Sequence, residues 1–410
     1  MSGVAADTCP AFPMPRDRAH PLAPPPELVA LRDAAPVARV TLWDGSTAWL
    51  ISRYEDQRRL LADDRFSADV RRPGFPQSAA ATATWFQRAR PLMTMDNPEH
   101  GALRRSMARA FTIRQVEALR PGVQRLVDDL LDEMLASGSP ADLVPAFARP
   151  LPSLVICELL GVPYEDHDFF QATAATVVST SSTLEESSQA VDDLRGYVAA
   201  LIESRGQEPG TDLLGSIISD QYLAGRYSLE ETSAIALQLL LAGHDTTANM
   251  IALGTLALLQ NPDQLALLVS GTVPVASAVE ELLRFLNIVH TGRRRVALED
   301  VEIHGQVIAA GEGIIAPSDV SNRESGVFAH PDSLDLTRNP RNHLSFGYGI
   351  HQCLGAPLAR MELQVAYGSL FSRIPSLRLA TELTNLRYRD DSVVYGVREL
   401  PVAWDQGAQA

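Results

Sequence analysis

Apolar residues recur along this chain with two different periods. Apolar and polar positions alternate at 38–42 and 48–51, on either side of Asp44-Gly45-Ser46, which predicts a small β-hairpin. From residue 98 onward apolar residues recur every three to four positions, as in helices with one buried face. That period predicts helices at 98–111, 113–136, 143–160, 184–205, 229–260, 262–268 and 273–285. We therefore expect a mainly α protein with small β-sheets.

Strand-like alternation returns in the second half of the chain. It covers 294–315 and a stretch near 377–398, so the β-rich subregion is expected at about 36–52 and 292–316. Residues 1–25 are rich in proline and predict an irregular N-terminal tail, followed by a short helix at 27–33. No repeat or linker divides the remainder, so 26–410 is predicted to be a single domain.

Two stretches depart from the general pattern. Residues 66–97 show no firm period and predict a long loop, and such loops in compact proteins are often functional. The most apolar stretch, 235–259, carries His244, Asp245 and Asn249 at its centre, where a bilayer would penalise them. We interpret it as a long buried helix. The first thirty residues lack the basic and apolar regions of a secretory signal, so a cytoplasmic protein without membrane contact is expected.

Composition narrows the chemistry further. Thirty-five basic and fifty acidic residues give a net charge of −15, which argues against a nucleic-acid binder. Only three cysteines occur, too few for a disulfide framework or a four-cysteine zinc site. Cys157 lies in an apolar run typical of a core position, and Cys9 lies in the predicted tail.

The most distinctive local feature is the glycine-rich segment around Cys353. Gly347, Gly349 and Gly355 permit tight turns and close approach to a flat ligand, and Cys353 precedes a helical pattern. A thiolate near a helix N-terminus is stabilised by the helix dipole. These residues alone leave open a cysteine nucleophile with a distant histidine base, although His351 is poorly placed for that role.

The segment resembles the haem-binding loop of the cytochrome P-450 superfamily, with matches at Phe346, Gly349, Cys353 and Gly355. The resemblance implies a triangular helical prism that holds haem b between the long central helix and the helix after the cysteine loop. It implies that Cys353 is the metal ligand, the axial thiolate of the haem iron. Phe346, Gly347 and Gly355 would shape the loop beneath the cofactor.

A second match lies in the predicted central helix, at residues 242–247. The superfamily has a similar segment over the distal face of the haem, where the helix opens locally to admit oxygen. The resemblance implies that Ala242 and Gly243 approach the cofactor, and that Asp245 and Thr246 deliver protons during oxygen activation. Read without the family, the segment also fits a helix kinked by a back-bonded threonine.

Further matches concern charged residues. Glu281 and Arg284 lie three positions apart, and the resemblance joins them to Arg338 in a structural triad behind the cysteine loop. The resemblance also implies that four cationic or imidazole side chains bind the haem propionates. These are His100, Arg104, Arg295 and His351.

The family resemblance implies a monooxygenase that hydroxylates or epoxidises an apolar small molecule with O2. The closest likeness is to actinomycete members that act on macrolides, other polyketides and terpenoids. By analogy the pocket is lined by the loop at 73–95, the segment 168–190, and individual side chains of three further segments. Those side chains are Leu239, Ile288, Val289 and Val394.

The chain has no flavin, nicotinamide or iron–sulfur fingerprint. The redox partners are therefore expected to be separate proteins, and the resemblance implies that two electrons come from NAD(P)H through a ferredoxin reductase and a ferredoxin. The protein itself is expected to be a monomer. A basic proximal patch for that ferredoxin is predicted at Arg104, Arg105, Arg109, Arg341 and Arg360. Two alternatives stay open: another haem-thiolate reaction, such as that of a peroxygenase, isomerase or dehydratase, and a non-catalytic haem-binding protein.

Overall fold

The computed structural model describes residues 9–78, 91–163, 166–178, 182–206, 208–210 and 212–405. Helices dominate this part of the chain, and we number them in chain order. They are α1 (Pro26–Ala34), α2 (Tyr54–Ala62), α3 (Glu99–Met107), α4 (Ile113–Ser137), α5 (Pro150–Leu160), α6 (His167–Val178), α7 (Leu184–Arg205), α8 (Leu213–Ile217), α9 (Leu229–Leu259), α10 (Pro262–Val269), α11 (Val275–Phe285), α12 (Ser318–Ser321) and α13 (Ala356–Arg373).

Within the described ranges, ten short strands form three small sheets. They are β1 (Val37–Thr41), β2 (Thr47–Ile51), β3 (Phe66–Ser67), β4 (Ala141–Asp142), β5 (Arg293–Ala297), β6 (Val301–Ile303), β7 (Gln306–Ile308), β8 (Gly313–Ala316), β9 (Arg378–Leu379) and β10 (Pro401–Ala403). The largest sheet has the order β1-β2-β8-β5-β3, and the others are β4-β10-β9 and β6-β7. Only β2 and β8 pair in parallel within the largest sheet.

The long central helix α9 begins with a capping box. The Ser228 hydroxyl accepts from the Glu231 N–H at 3.2 Å, and the Glu231 carboxylate accepts from the Ser228 N–H at 2.8 Å. Most of the helix is buried, because its apolar residues occupy every face and pack against α5, α7 and α13. Within 242–247, His244 and Thr247 are buried, whereas Ala242 is exposed and the other three residues are partly exposed.

The mainly α architecture and the hairpin β1–β2 are confirmed, with Val37 opposite Ile51. The single helix predicted at 143–160 is wrong in detail, because a π-helical turn at Val144–Ala148 precedes α5. Pro150 supplies no N–H, so it suits the first position of a new helix better than the interior of one. Helix α2 was not predicted, since its sequence is strongly polar.

Packing separates a large helical core from a smaller apolar layer on the sheet. The sheet layer includes Leu50, Ile315 and Val320, and Phe12 and Met14 of the N-terminal segment are buried against it. No helix among the described ranges combines the length and apolarity needed to cross a bilayer.

Candidate functional site

The cysteine loop is held rigidly between a short turn and a helix. Cys353 follows the 3-10 turn Gly349–His351 and precedes α13. Its N–H donates to the Phe346 carbonyl at 2.8 Å. Gly349 has φ +71°, and a Cβ there would lie 2.2 Å from the Leu61 carbonyl oxygen. The loop therefore presses directly on the end of α2, which a side chain at this glycine would prevent.

The Cys353 side chain is accessible, although many protein atoms surround it. Burial raises the pKa of this thiol above its ordinary value, while the Gly355 N–H and the charges of Arg293 and Arg104 act in the opposite direction. A positively charged metal centre would favour the thiolate further. Burial also raises the pKa of the Cys157 thiol, to about 11. Cys157 is buried in the helical core, the position that its apolar sequence context predicts.

The four predicted propionate-binding residues come together from three elements. His100 and Arg104 lie one turn apart on α3, Arg295 lies on β5, and His351 lies in the cysteine loop. The rings of His100 and His351 have centroids 4.2 Å apart. The Arg104 guanidinium donates to the Gln352 carbonyl at 2.6 Å, which joins α3 to the cysteine loop.

The electrostatics of this cluster fit an anionic ligand. Burial, followed by the charges of Arg104 and Arg295, lowers the pKa of His100 to about 4. Burial and then Arg295 lower the pKa of His351 to about 2. Both nitrogens of His100 are buried without a hydrogen-bond partner. Among the described residues none of these four side chains forms an ion pair with a carboxylate, so two carboxylates of a ligand would complete the cluster.

Residues 242–247 lie in an unbroken stretch of α9. The Thr246 hydroxyl donates to the Ala242 carbonyl at 2.7 Å, which is the back-bonded arrangement of a helix hydroxyl. A Cβ on Gly243 would lie 3.0 Å from Ile156, so this glycine lets α9 approach α5 closely. The roles expected for Ala242 and Gly243 toward the cofactor remain predictions.

The two carboxylate oxygens of Asp245 differ in their hydrogen bonding. Its Oδ1 accepts from Arg389 at 2.6 Å and from the Asn249 amide at 3.2 Å. Its Oδ2 is buried and has no partner among the described residues. Sequence reasoning missed Arg389, because it lies 144 positions from Asp245 and outside any recognised motif.

Glu281, Arg284 and Arg338 meet as predicted. The Arg284 guanidinium donates to both Glu281 oxygens at 2.8 Å, and Arg338 donates to Glu281 Oε1 at 3.2 Å. Glu281 and Arg284 are fully buried. Arg284 also donates to the Asn322 carbonyl, and Asn322 Oδ1 accepts from the Leu344 N–H at 2.7 Å just before the cysteine loop. The triad thus supports the segment that leads into this loop.

Two predicted pocket segments are joined by a hydrogen bond. The Tyr395 N–H donates to the Ile288 carbonyl at 2.7 Å, which brings Val394 close to Ile288 and Val289. Leu239 and Ile288 are partly buried against the helical core. The predicted pocket stretches 73–95 and 168–190 lie partly outside the described residues.

Only some of the arginines predicted to form the proximal patch are exposed and available to a partner protein. Arg105, Arg109 and Arg341 are exposed. Arg360 pairs with Glu280 at 2.6 Å. Burial alone would raise the pKa of Glu280, but hydrogen bonds from His343 and Arg360 outweigh it and lower that pKa to about 2.

The fold and this arrangement of a thiol beside buried cations are those of a haem-thiolate protein. A family model described as cytochrome P450 matches residues 274–374. Cytochrome P450-SU2 of Streptomyces griseolus is 47% identical over 398 residues, which cover 96% of this chain and 97% of that protein. A 20-oxo-5-O-mycaminosyltylactone 23-monooxygenase of Streptomyces fradiae is 43% identical, covering 95% of this chain and 92% of that protein.

Solved structures agree with the sequence comparisons. The crystal structure of GfsF superposes with a TM-score of 0.90 at 44% identity, and the match covers 97% of this chain and all of that one. The chain therefore belongs to the cytochrome P450 family and is a monooxygenase of that family. Membership implies a haem cofactor.

Proposed function

We propose that this protein hydroxylates or epoxidises an apolar macrolide, other polyketide or terpenoid, using O2 and two electrons from NAD(P)H through a ferredoxin reductase and a ferredoxin. The observation that carries the proposal is the Cys353 thiol set beside His100, Arg104, Arg295 and His351, a cluster for which the described residues supply no carboxylate partner. Support for the substrate class comes from the relative named for the monooxygenation of 20-oxo-5-O-mycaminosyltylactone.

In this proposal the Cys353 thiolate would bind the haem iron, and Arg104, Arg295, His100 and His351 would hold the two propionates. When bound, haem supplies the centre at which dioxygen is activated. Two guanidinium charges match two carboxylates, and the neutral imidazoles add N–H donors. Phe346, Gly347 and Gly355 would keep the loop that carries Cys353 tight enough for a flat ligand to approach it.

In the same proposal Asp245 and Thr246 bind and transfer the protons that oxygen activation consumes. The Thr246 hydroxyl donates to a helix carbonyl at 2.7 Å and retains acceptor capacity for a second hydrogen bond. Asp245 takes a proton at Oδ2, the oxygen without a protein partner, and passes it on. Leu239, Ile288, Val289 and Val394 exclude water and orient an apolar substrate beside this pair.

Electrons would arrive at the proximal face, where exposed Arg105, Arg109 and Arg341 attract an acidic ferredoxin. Arg104 and Arg360 are held by other groups on the protein, so they are expected to contribute less to that attraction.

The decisive experiment is the reduced, carbon-monoxide-bound difference spectrum of the purified protein. A red-shifted Soret band that is lost in Cys353→Ser and kept in Cys157→Ser supports thiolate ligation by Cys353. No haem, or an unchanged band in Cys353→Ser, overturns it. NAD(P)H consumption that rises with a compound shifting the Soret band, with one oxygen atom from O2 in the product, then supports monooxygenation of that compound.

A further inference from the structure

The C-terminal hairpin, residues 388–397, reaches into the site from a distant part of the chain. Its strands are linked by the Arg389 N–H, which donates to the Gly396 carbonyl at 2.9 Å, and by a bridge between Tyr388 and Val397. From this hairpin the Arg389 side chain extends to Asp245 Oδ1 at 2.6 Å. Both side chains are mostly buried, with 17% and 13% of their surfaces exposed. A charge-assisted bond in such surroundings is stronger than an exposed ion pair.

The hairpin is pressed against the central helix at the same place. A Cβ on Gly396 would lie only 1.6 Å from Asn249 Oδ1, so no other residue fits here without movement. Asn249 in turn donates to the Asp245 backbone carbonyl at 2.7 Å and to its Oδ1 at 3.2 Å. Arg389 and Asn249 therefore both donate to Oδ1 of Asp245, while Oδ2 has no hydrogen-bond partner among the described residues.

The hairpin also touches the predicted wall of the substrate pocket. Arg389 donates to the Ser392 hydroxyl at 3.2 Å, and the Ser392 carbonyl accepts from His290 Nε2 at 2.5 Å. Three positions further along the chain, Tyr395 donates its N–H to the Ile288 carbonyl. The segment that carries Ile288 and Val289 is thus joined through Ser392 to the side chain that holds Asp245.

We infer that Arg389 is a positioning residue for proton delivery: it fixes Asp245 through Oδ1, so that Oδ2 is the oxygen that exchanges protons. The inference rests on the proposed function of Asp245. Oδ2 accepts a proton from water and releases it toward the site, which regenerates the carboxylate while Oδ1 stays bound. After each complete cycle of acceptance and release the pair of Asp245 and Arg389 is again neutral.

The test uses the full-length holoprotein without an organic substrate, since dioxygen reduction itself consumes protons. NADPH is oxidised through a purified ferredoxin reductase and ferredoxin in H2O and in D2O. The variants are Asp245→Asn, Arg389→Gln, Arg389→Lys and the double variant Asp245→Asn with Arg389→Gln. Arg387→Gln is the matched control, because Arg387 immediately precedes the hairpin but pairs with Glu399 at the surface.

We expect Arg389→Gln to slow NADPH oxidation at least fivefold and to enlarge the solvent isotope effect, with partial recovery in Arg389→Lys. In the Asp245→Asn background the same substitution should add nothing. Urea unfolding followed by tryptophan fluorescence should show the same dependence: Arg389→Gln lowers the midpoint in the parent protein but not in the Asp245→Asn background.

Two results would contradict this inference in distinguishable ways. If Asp245→Asn itself leaves the rate and the isotope effect unchanged, the proposed role of Asp245 fails and the inference falls with it. If Asp245→Asn slows the reaction but Arg389→Gln behaves like Arg387→Gln, or acts equally in both backgrounds, Arg389 does not act through Asp245 and the inference alone is overturned.

Discussion

His244 offers a direct test of how burial in the central helix shapes the response of this protein to acid. The side chain is 4% exposed, and neither ring nitrogen has a hydrogen-bond partner among the described residues. Its nearest ring neighbour is Phe170, with centroids 5.9 Å apart. Burial lowers the pKa of His244 to about 4, despite the opposing charge of Asp245. The perturbation we consider is His244→Leu, which keeps a similar volume and removes both nitrogens.

The sign follows from the two pKa values. The unfolded chain binds a proton at His244 with a pKa of about 6.5, whereas the folded chain does so only near 4. Between these values the unfolded state binds more protons, so stability falls as the pH is lowered from about 6.5 towards 4. At pH 5 this single group should cost about 2 kcal/mol relative to pH 7.5. His244→Leu removes that cost.

The assay is urea unfolding of the holoprotein at pH 7.5 and pH 5.0. The parent protein should lose about 2 kcal/mol more between these two pH values than His244→Leu does. His20→Leu is the matched control, because His20 is exposed in the N-terminal segment. Equal losses in the parent protein and in His244→Leu would refute the assignment of acid sensitivity to this buried imidazole.

Three further predictions concern the triad, the cationic cluster and the glycines. Arg284→Met should lower the unfolding free energy by about 3–5 kcal/mol in urea titrations, because it removes the guanidinium that binds both oxygens of the buried Glu281 and leaves that carboxylate with only the ion pair to Arg338 among the described residues. Arg120→Met, in the exposed pair with Glu117, should cost under about 1 kcal/mol, and equal effects would contradict the reasoning. Arg104→Gln should weaken haem binding roughly tenfold or more, measured by transfer to apomyoglobin, whereas the neighbouring exposed Arg105→Gln should not. Gly254→Ala should lower the midpoint of thermal unfolding, because its Cβ would lie 2.0 Å from the Tyr367 hydroxyl. Gly368→Ala should raise that midpoint, because its Cβ would meet nothing within 4 Å and alanine restricts the unfolded chain more than glycine does.

The sequence predicts best those site residues that belong to a short motif or are spaced along one face of a helix. Cys353 is framed by glycines at fixed spacing, and the positive φ of Gly347 and Gly349 explains why the motif needs them. Glu281 and Arg284 lie three apart on one helix face, so their pairing follows from helix geometry. His100 and Arg104 share a face for the same reason. What brings His351 beside His100 is tertiary structure, and only the family resemblance anticipated it.

Contacts made by distant and irregular segments could not be predicted in this way. Arg389 lies in a stretch where alternation predicts strands, but that pattern does not indicate that its side chain meets Asp245, 144 positions away. The proline-rich N-terminal segment, expected to be an irregular tail, buries Phe12 and Met14 and stacks Arg16 on Tyr395, with Cζ 4.4 Å from the ring centroid. Each of these contacts depends on where the chain returns in three dimensions, which hydrophobic periodicity does not encode.

The cationic cluster links the stability of the fold to its cofactor. Burial lowers the pKa of Arg295 to about 10, which still leaves the guanidinium charged at neutral pH. His100 and His351 stay neutral there, so the cluster presents two charges and two N–H donors. A ligand with two carboxylates replaces the hydration that these groups lose on folding. Because such a ligand binds only the folded chain, haem at a hundred times its dissociation constant would add about 2.7 kcal/mol of stability.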